Sequence, residues 1–261
     1  MGQIHVVDYI GWTYREITHL TLSLPGTKNL QGAERVVDGQ KFILIDIPGN
    51  NDSDGEDVPL FIKMSEWLYG AHKTGEHLNG IIYGELISEP RVNKADHELD
   101  ELLKAIVGKT QFNRVAIVTS MWNRQVFQYA AQHESARMDG GNAVWRDLLD
   151  EGATTFRCHH TEDSALRVLR HFLPSSKFPP QPVQLQQELL RSGGSLNETS
   201  AGRLFALSVA VRVSDLEKQI EIVGAKLKIT GSGARHENLA RQDIENCGES
   251  TLLLCFVILA H

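Results

Sequence analysis

Residues 41–52 read KFILIDIPGNND. The apolar run Phe42-Ile43-Leu44-Ile45 follows Asp38-Gly39 and ends in Asp46-Ile47-Pro48-Gly49. A short apolar run bounded by a Gly-containing turn and a Pro-Gly turn predicts a strand buried on both faces, as in a parallel sheet. Such a strand carries Asp46 to the carboxyl edge of the sheet, where α/β folds bind their ligands. A carboxylate there can hold the water shell of a magnesium ion, and the Gly49 amide can approach a phosphate. The competing reading is a strand that ends in an ordinary Pro-Gly turn.

Working outward, residues 34–37 and 40–45 are two runs of strand formers joined by Asp38-Gly39, a hairpin signal. After the acidic stretch 50–57, Leu60, Phe61, Met64, Trp67, Leu68 and Ala71 recur at helical spacing. Residues 80–83 and 115–118 predict two more buried strands. Between them Leu99, Leu102, Leu103 and Ile106 predict a helix over 94–107 that Gly108 stops. A helical stretch over 134–149 interrupted by Gly140-Gly141, a strand over 154–158 and a helix over 164–172 follow. Strands alternating with helices predict an α/β fold with a mostly parallel sheet covered on both faces.

Pro174, Pro179, Pro180 and Pro182 mark residues 174–182 as a linker. Residues 183–190 and 201–229 predict a helical extension, with Val213, Leu216, Ile220, Val223 and Leu227 at coiled-coil spacing and Ser214 with Glu217 as a capping box. Residues 1–25 form a divergent amino-terminal segment in which 4–10 could be a strand, and 231–261 a polar, Gly-containing, poorly ordered tail. Its last apolar run, 252–260, is less than half a transmembrane helix, and reads as a buried strand or a docked or disordered end.

The chain has 261 residues, enough for one large core and an appendage. A net charge of −7 with no basic run argues against nucleic-acid binding. The three cysteines, Cys158, Cys247 and Cys255, form no CxxC pair, so neither a disulfide framework nor a structural zinc site is indicated. The amino terminus lacks the basic region and long apolar core of a signal peptide, which points to an intracellular, cytoplasmic protein. Cys158, His159, His160 and His171 are metal-ligating types, but three adjacent strand residues cannot face one ion together. The acidic run Asp52, Asp54, Glu56 and Asp57 lacks the distal glutamate of a calcium loop.

Five segments in order, GTKNLQGAERVVDGQKFILIDIPG (26–49), MSEWLYGAHKTGEHLNGIIY (64–83), FNRVAIVTSMWN (112–123), VWRDLLDEGA (144–153) and TEDSA (161–165), resemble the G domain of a large fungal group of GTPase-like proteins related to septins and immunity-associated GTPases. The likeness runs on through LQQELL and LNETSAG to about residue 230. It implies a three-layer, P-loop NTPase-like G domain over 26–173 with a helical extension over 183–230. It also implies guanine-nucleotide binding and GTP hydrolysis, with Mg2+ and GTP or GDP as cofactors. Thr27 matches the switch threonine, and Asp46 and Gly49 the magnesium and phosphate motif. Thr119, Ser120, Trp122 and Asn123 match the strand end on the base side. Ser164 and Ala165 match the second loop near the base.

The departures bear on activity. No GxxxxGK[ST] occurs in the chain. That loop cradles phosphates with backbone N–H groups and a lysine, and in the family it lies before the switch threonine, on the first and central strand. Its absence predicts a domain incomplete at that strand. Asn123 stands where the family has a base-binding aspartate, and an amide accepts only through its oxygen. The expectations are therefore a degenerate guanine-nucleotide-binding domain, a pseudo-GTPase interaction module that binds a protein or a second copy through its switch surface or carboxyl-terminal helix, or a truncated chain of an ordinary GTPase.

Overall fold

A computed structural model describes residues 31–47, 57–87, 94–120, 122, 127–139, 143–159, 161–173, 177–230 and 253–260. The Asp-Gly signal folds as expected. Strand β1 (Gln31–Val37) and strand β2 (Gln40–Ile47) form an antiparallel hairpin. Asp38 (φ 51°) and Gly39 (φ 82°) occupy the left-handed region that a two-residue hairpin turn demands. Then come α1 (Asp57–Lys73), β3 (Gly80–Leu86), α2 (Lys94–Val107), β4 (Val115–Ser120), α3 (Phe127–Asp139), α4 (Arg146–Asp150), β5 (Thr154–Arg157) and α5 (Glu162–His171). The helix expected over 134–149 is thus two helices that leave Gly140-Gly141 outside both.

Six strands form one sheet in the order β1-β2-β6-β3-β4-β5, where β6 is Leu253–Ala260. β3, β4 and β5 pair in parallel, while β6 is antiparallel to both β2 and β3. Two reversals leave β2 pointing the same way as β3, so four of the six strands share one direction. The fold is α/β, as expected.

Side chains alternate between the two faces of the strands. On one face Ile45, Ile47, Ile81, Tyr83, Val115 and Ile117 meet Phe61, Met64 and Leu68 of α1 and Leu102, Leu103 and Ile106 of α2. On the other, Phe42, Leu44, Ile82, Ala116 and Val118 meet Ala165, Val168 and Leu169 of α5. The domain is therefore three layers deep.

The expectation for the centre of the sheet needs correcting. It is not a gap, and residues 4–10, read as a possible strand for it, lie outside the described residues. Instead the carboxyl-terminal apolar run lies there, with seven positions paired to β2 and five to β3. The tail read as poorly ordered therefore ends in a central strand. Pairing on both sides satisfies the backbone of this run and closes two otherwise open sheet edges. Residues 231–250 lie outside the described residues.

The Pro-rich stretch is a strap, not a free linker. The Asn79 side-chain amide donates to the Phe178 carbonyl (2.7 Å), the Gln181 amide to the Leu78 carbonyl (3.1 Å), and buried Arg114 to the carbonyls of Asn79 (3.1 Å) and Gln181 (3.3 Å). The strap sets α6 (Gln184–Arg191) on the domain, with Leu185 and Leu189 in the first core. α7 (Ser200–Thr230) is anchored by buried Ala201 and by Phe205, whose ring stacks on Phe61 at 4.3 Å. Ser214 lies inside this one helix, so it starts none. Among the described residues no helix is long and apolar enough to cross a membrane.

Candidate functional site

The carboxyl edge gathers the ends of β2, β3, β4 and β5. Asp46 is the penultimate residue of β2 and sits there, as the strand reading requires, with Gln31 and Cys255 as backbone neighbours. Thr27, Gly49 and Asn123 lie outside the described residues. Beside Asp46 the central strand runs the wrong way for a phosphate loop. Leu254 pairs with Ile47 and Leu253 with Gly84, so at this edge β6 begins instead of ending. A phosphate cradle needs a strand that ends here and opens into a loop of free N–H groups. β6 therefore sets a strand start beside Asp46 and not a strand end that opens into a loop.

The base-side residues do come together. Thr119 is fully buried; its hydroxyl donates to the Phe156 carbonyl (3.2 Å) and accepts the indole N–H of Trp122 (3.0 Å). The Cys158 amide donates to the Thr119 carbonyl (2.8 Å), which carries the β4–β5 pairing past the end of the strands. The Ser120 hydroxyl is buried with no hydrogen bond among the described residues. Ser164 closes a capping box at the start of α5: its amide donates to Thr161 Oγ1 (3.2 Å) and its hydroxyl accepts the Thr161 amide (3.3 Å). Ala165 is buried beneath it in the second core. Two strands, β6 and β3, lie between Asp46 and this corner, a separation of roughly 14 Å at ordinary strand spacing.

Trp122 is not a free stacking platform. It is 1% exposed, packed with Ile87 and Ala130. The Arg157 guanidinium lies 4.4 Å from its ring centroid, and His159 approaches at 6.0 Å. Arg157 is held in turn by Glu134, with Nε 3.0 Å from the carboxylate. A guanidinium over an indole occupies the position a planar base would need.

The Cys-His cluster does not form. Cys158 Sγ lies 3.2 Å from the Ser164 hydroxyl, and among the described residues no three histidines, cysteines or acids approach as metal ligands. His171 instead packs among Phe156, Phe172 and Phe178, with ring centroids 5.1–5.2 Å away. Burial there, with a smaller contribution from Lys177, pushes its pKa down to about 4. The folded state favours the neutral ring, so stability is full above pH 6.5 and falls as pH drops from 6.5 toward 4. Because the ring is only half-buried, we expect a loss on the order of 1–2 kcal/mol, below the full linkage value. Urea denaturation of His171→Phe should show a flatter decline over that window; an unchanged slope would exclude His171 as its source.

Sequence reasoning missed one feature of this edge. Arg137 of α3 is 1% exposed and donates through Nε to the Glu85 carboxylate of β3, which also accepts the Trp145 indole N–H at 2.8 Å.

Compared as a sequence, the chain matches no protein-family model and no curated protein. Compared as a structure, it is similar to a dimerization-deficient mutant of Toc33 from Arabidopsis thaliana. That match has 10% identity and a TM-score of 0.41, and covers 54% of this chain and 61% of that one. So slight a likeness carries no functional argument, and the α/β assignment rests on the chain's own topology.

Proposed function

We propose that this chain is a degenerate G domain that has exchanged its nucleotide cradle for a structural strand and acts as a protein-interaction module. The observation that carries the proposal is the antiparallel β6 in the central position of the sheet. It fills the place the resemblance gives to the phosphate-loop strand, and it presents a strand start where a loop would hold phosphates. The lack of any GxxxxGK[ST] and the Arg157 guanidinium stacked on Trp122 point the same way. Asp46 at the carboxyl edge and the assembled Thr119, Ser164 corner favour the competing reading, a residual guanine-nucleotide site using Mg2+ with Thr27 and Asp46.

Titration with a fluorescent GTP analogue, with and without Mg2+, separates the two. The proposal expects no saturable binding at millimolar nucleotide. Micromolar, Mg2+-dependent binding displaced by GDP and not by ATP would overturn it and establish the residual site.

A further inference from the structure

Between α1 and β3 the chain doubles back on itself. α1 ends in a Schellman cap: the Gly75 amide donates to the His72 carbonyl (3.1 Å) and the Glu76 amide to the Ala71 carbonyl (2.8 Å), with Gly75 at φ 82° as the cap requires. The Thr74 hydroxyl adds a bond to the Ala71 carbonyl (2.9 Å). On the far side of the turn, the antiparallel bridge of Leu78 to Gln181 pins the chain where it enters β3. The turn sets His77 against His72. Nδ1 of His72 lies 3.0 Å from Nε2 of His77, the ring centroids are 5.1 Å apart, and both residues are half-buried. The backbone that carries the two rings is held by bonds in which neither ring takes part.

Two neutral imidazoles at this distance meet as one donor and one acceptor. The same spacing suits a shared ion. Nitrogen ligands at about 2.0–2.1 Å from a metal stand roughly 2.8–3.4 Å apart, from square to tetrahedral geometry. When the donating ring carries its proton on its other nitrogen, both facing lone pairs are open and no net proton is lost. We propose that His72 and His77 form a two-histidine site for a divalent late transition-metal ion, Cu2+ or Zn2+, at the amino-terminal edge of the sheet. Burial lowers the pKa of His77, with smaller contributions from His72 and Arg114, which favours the neutral ring that a metal needs. The buried Arg114 guanidinium donates to the Asn79 and Gln181 carbonyls and the Gln111 side-chain oxygen, and its charge works against a second cation. Among the described residues no third histidine, cysteine or acid joins the pair, so water completes the shell. Both facts set the affinity in the micromolar range, well short of a structural zinc centre. A bound ion would clamp the end of α1 to the entry of β3, at the edge opposite Asp46, and the inference is independent of whether nucleotide binds.

Calorimetric titration of the full chain with Cu2+ and, separately, Zn2+ tests it. The expected result is one ion per chain at micromolar concentration, Cu2+ the tighter. His72→Ala and His77→Ala should each weaken it at least about tenfold, the scale on which even an outer-shell partner acts. His97→Ala, at an exposed position on α2, should leave it unchanged. The chain has 11 histidines, so these substitutions decide the assignment. Electron paramagnetic resonance of the Cu2+ complex gives a second readout: hyperfine coupling to two imidazole nitrogens, reduced to one in either variant. Circular dichroism would verify that the variants fold. No saturable binding at millimolar ion would overturn the proposal and leave the pair a hydrogen bond only. Binding indifferent to both substitutions would overturn it by placing the ion on other histidines.

Discussion

Removing residues 251–261 is expected to leave no folded monomer. β6 hydrogen-bonds on both sides, at seven positions to β2 and five to β3, so its loss opens two long edges in the middle of the sheet and leaves the β1–β2 hairpin unattached to β3. At about 1 kcal/mol net per backbone hydrogen bond, the lost ladder alone approaches the whole stability of an ordinary domain. Exposed central edges also template aggregation. A finer probe is Val257→Pro. Val257 lies opposite Leu44 on one side and Gly80 on the other, and proline in a central strand removes a ladder donor. That substitution should cost roughly 3 kcal/mol or more and lower the melting temperature by about 6–12 °C. A truncated chain that purifies as a monomer with the full-length melting temperature would show that β6 is not integral to the sheet.

Most elements were legible because their signals are local. The periodicity of Leu99, Leu102, Leu103 and Ile106 places α2 over the residues expected, and Asp38-Gly39 fixes the β1–β2 turn. The clustering of Thr119, Trp122, Ser164 and Ala165 at one corner was also in reach, because motifs at strand ends converge wherever the strands are parallel neighbours. β6 was not. Its apolar composition says that it is buried, but nothing in residues 253–260 encodes which slot it fills or in which direction. That is decided by the edges of β2 and β3 with which it pairs, far earlier in the chain. Arg137 and Glu85 were invisible for a related reason: charged residues on a helix and at a strand end read as solvated until the fold brings them together across 52 residues.

Breaking that pair should be the most damaging single side-chain change at the carboxyl edge. Glu85 receives the Arg137 guanidinium and the Trp145 indole, while Arg137 also donates to the His133 carbonyl at 3.3 Å and its own carbonyl accepts the Trp145 amide at 3.1 Å. Three of these contacts tie β3, α3 and the chain entering α4 together, and the fourth holds the Arg137 side chain against its own helix. Glu85→Ala leaves a guanidinium 1% exposed without its counter-charge, and stranding a buried charge costs roughly 3–5 kcal/mol. The melting temperature should fall by about 6–20 °C. Replacing both partners, as Glu85→Leu with Arg137→Met, removes the stranded charge and should recover most of the loss, because a buried pair adds little over apolar packing of similar volume. Arg170→Ala is the contrast. Its pair with Asp38 is exposed on both sides, at 43% and 52%, so solvent screens it and its loss should barely change stability. A thermal denaturation series over these variants decides the point. If Glu85→Ala costs no more than Arg170→Ala, the edge is not locked by its buried pair, and the corner around Trp122 would be free to open to a ligand.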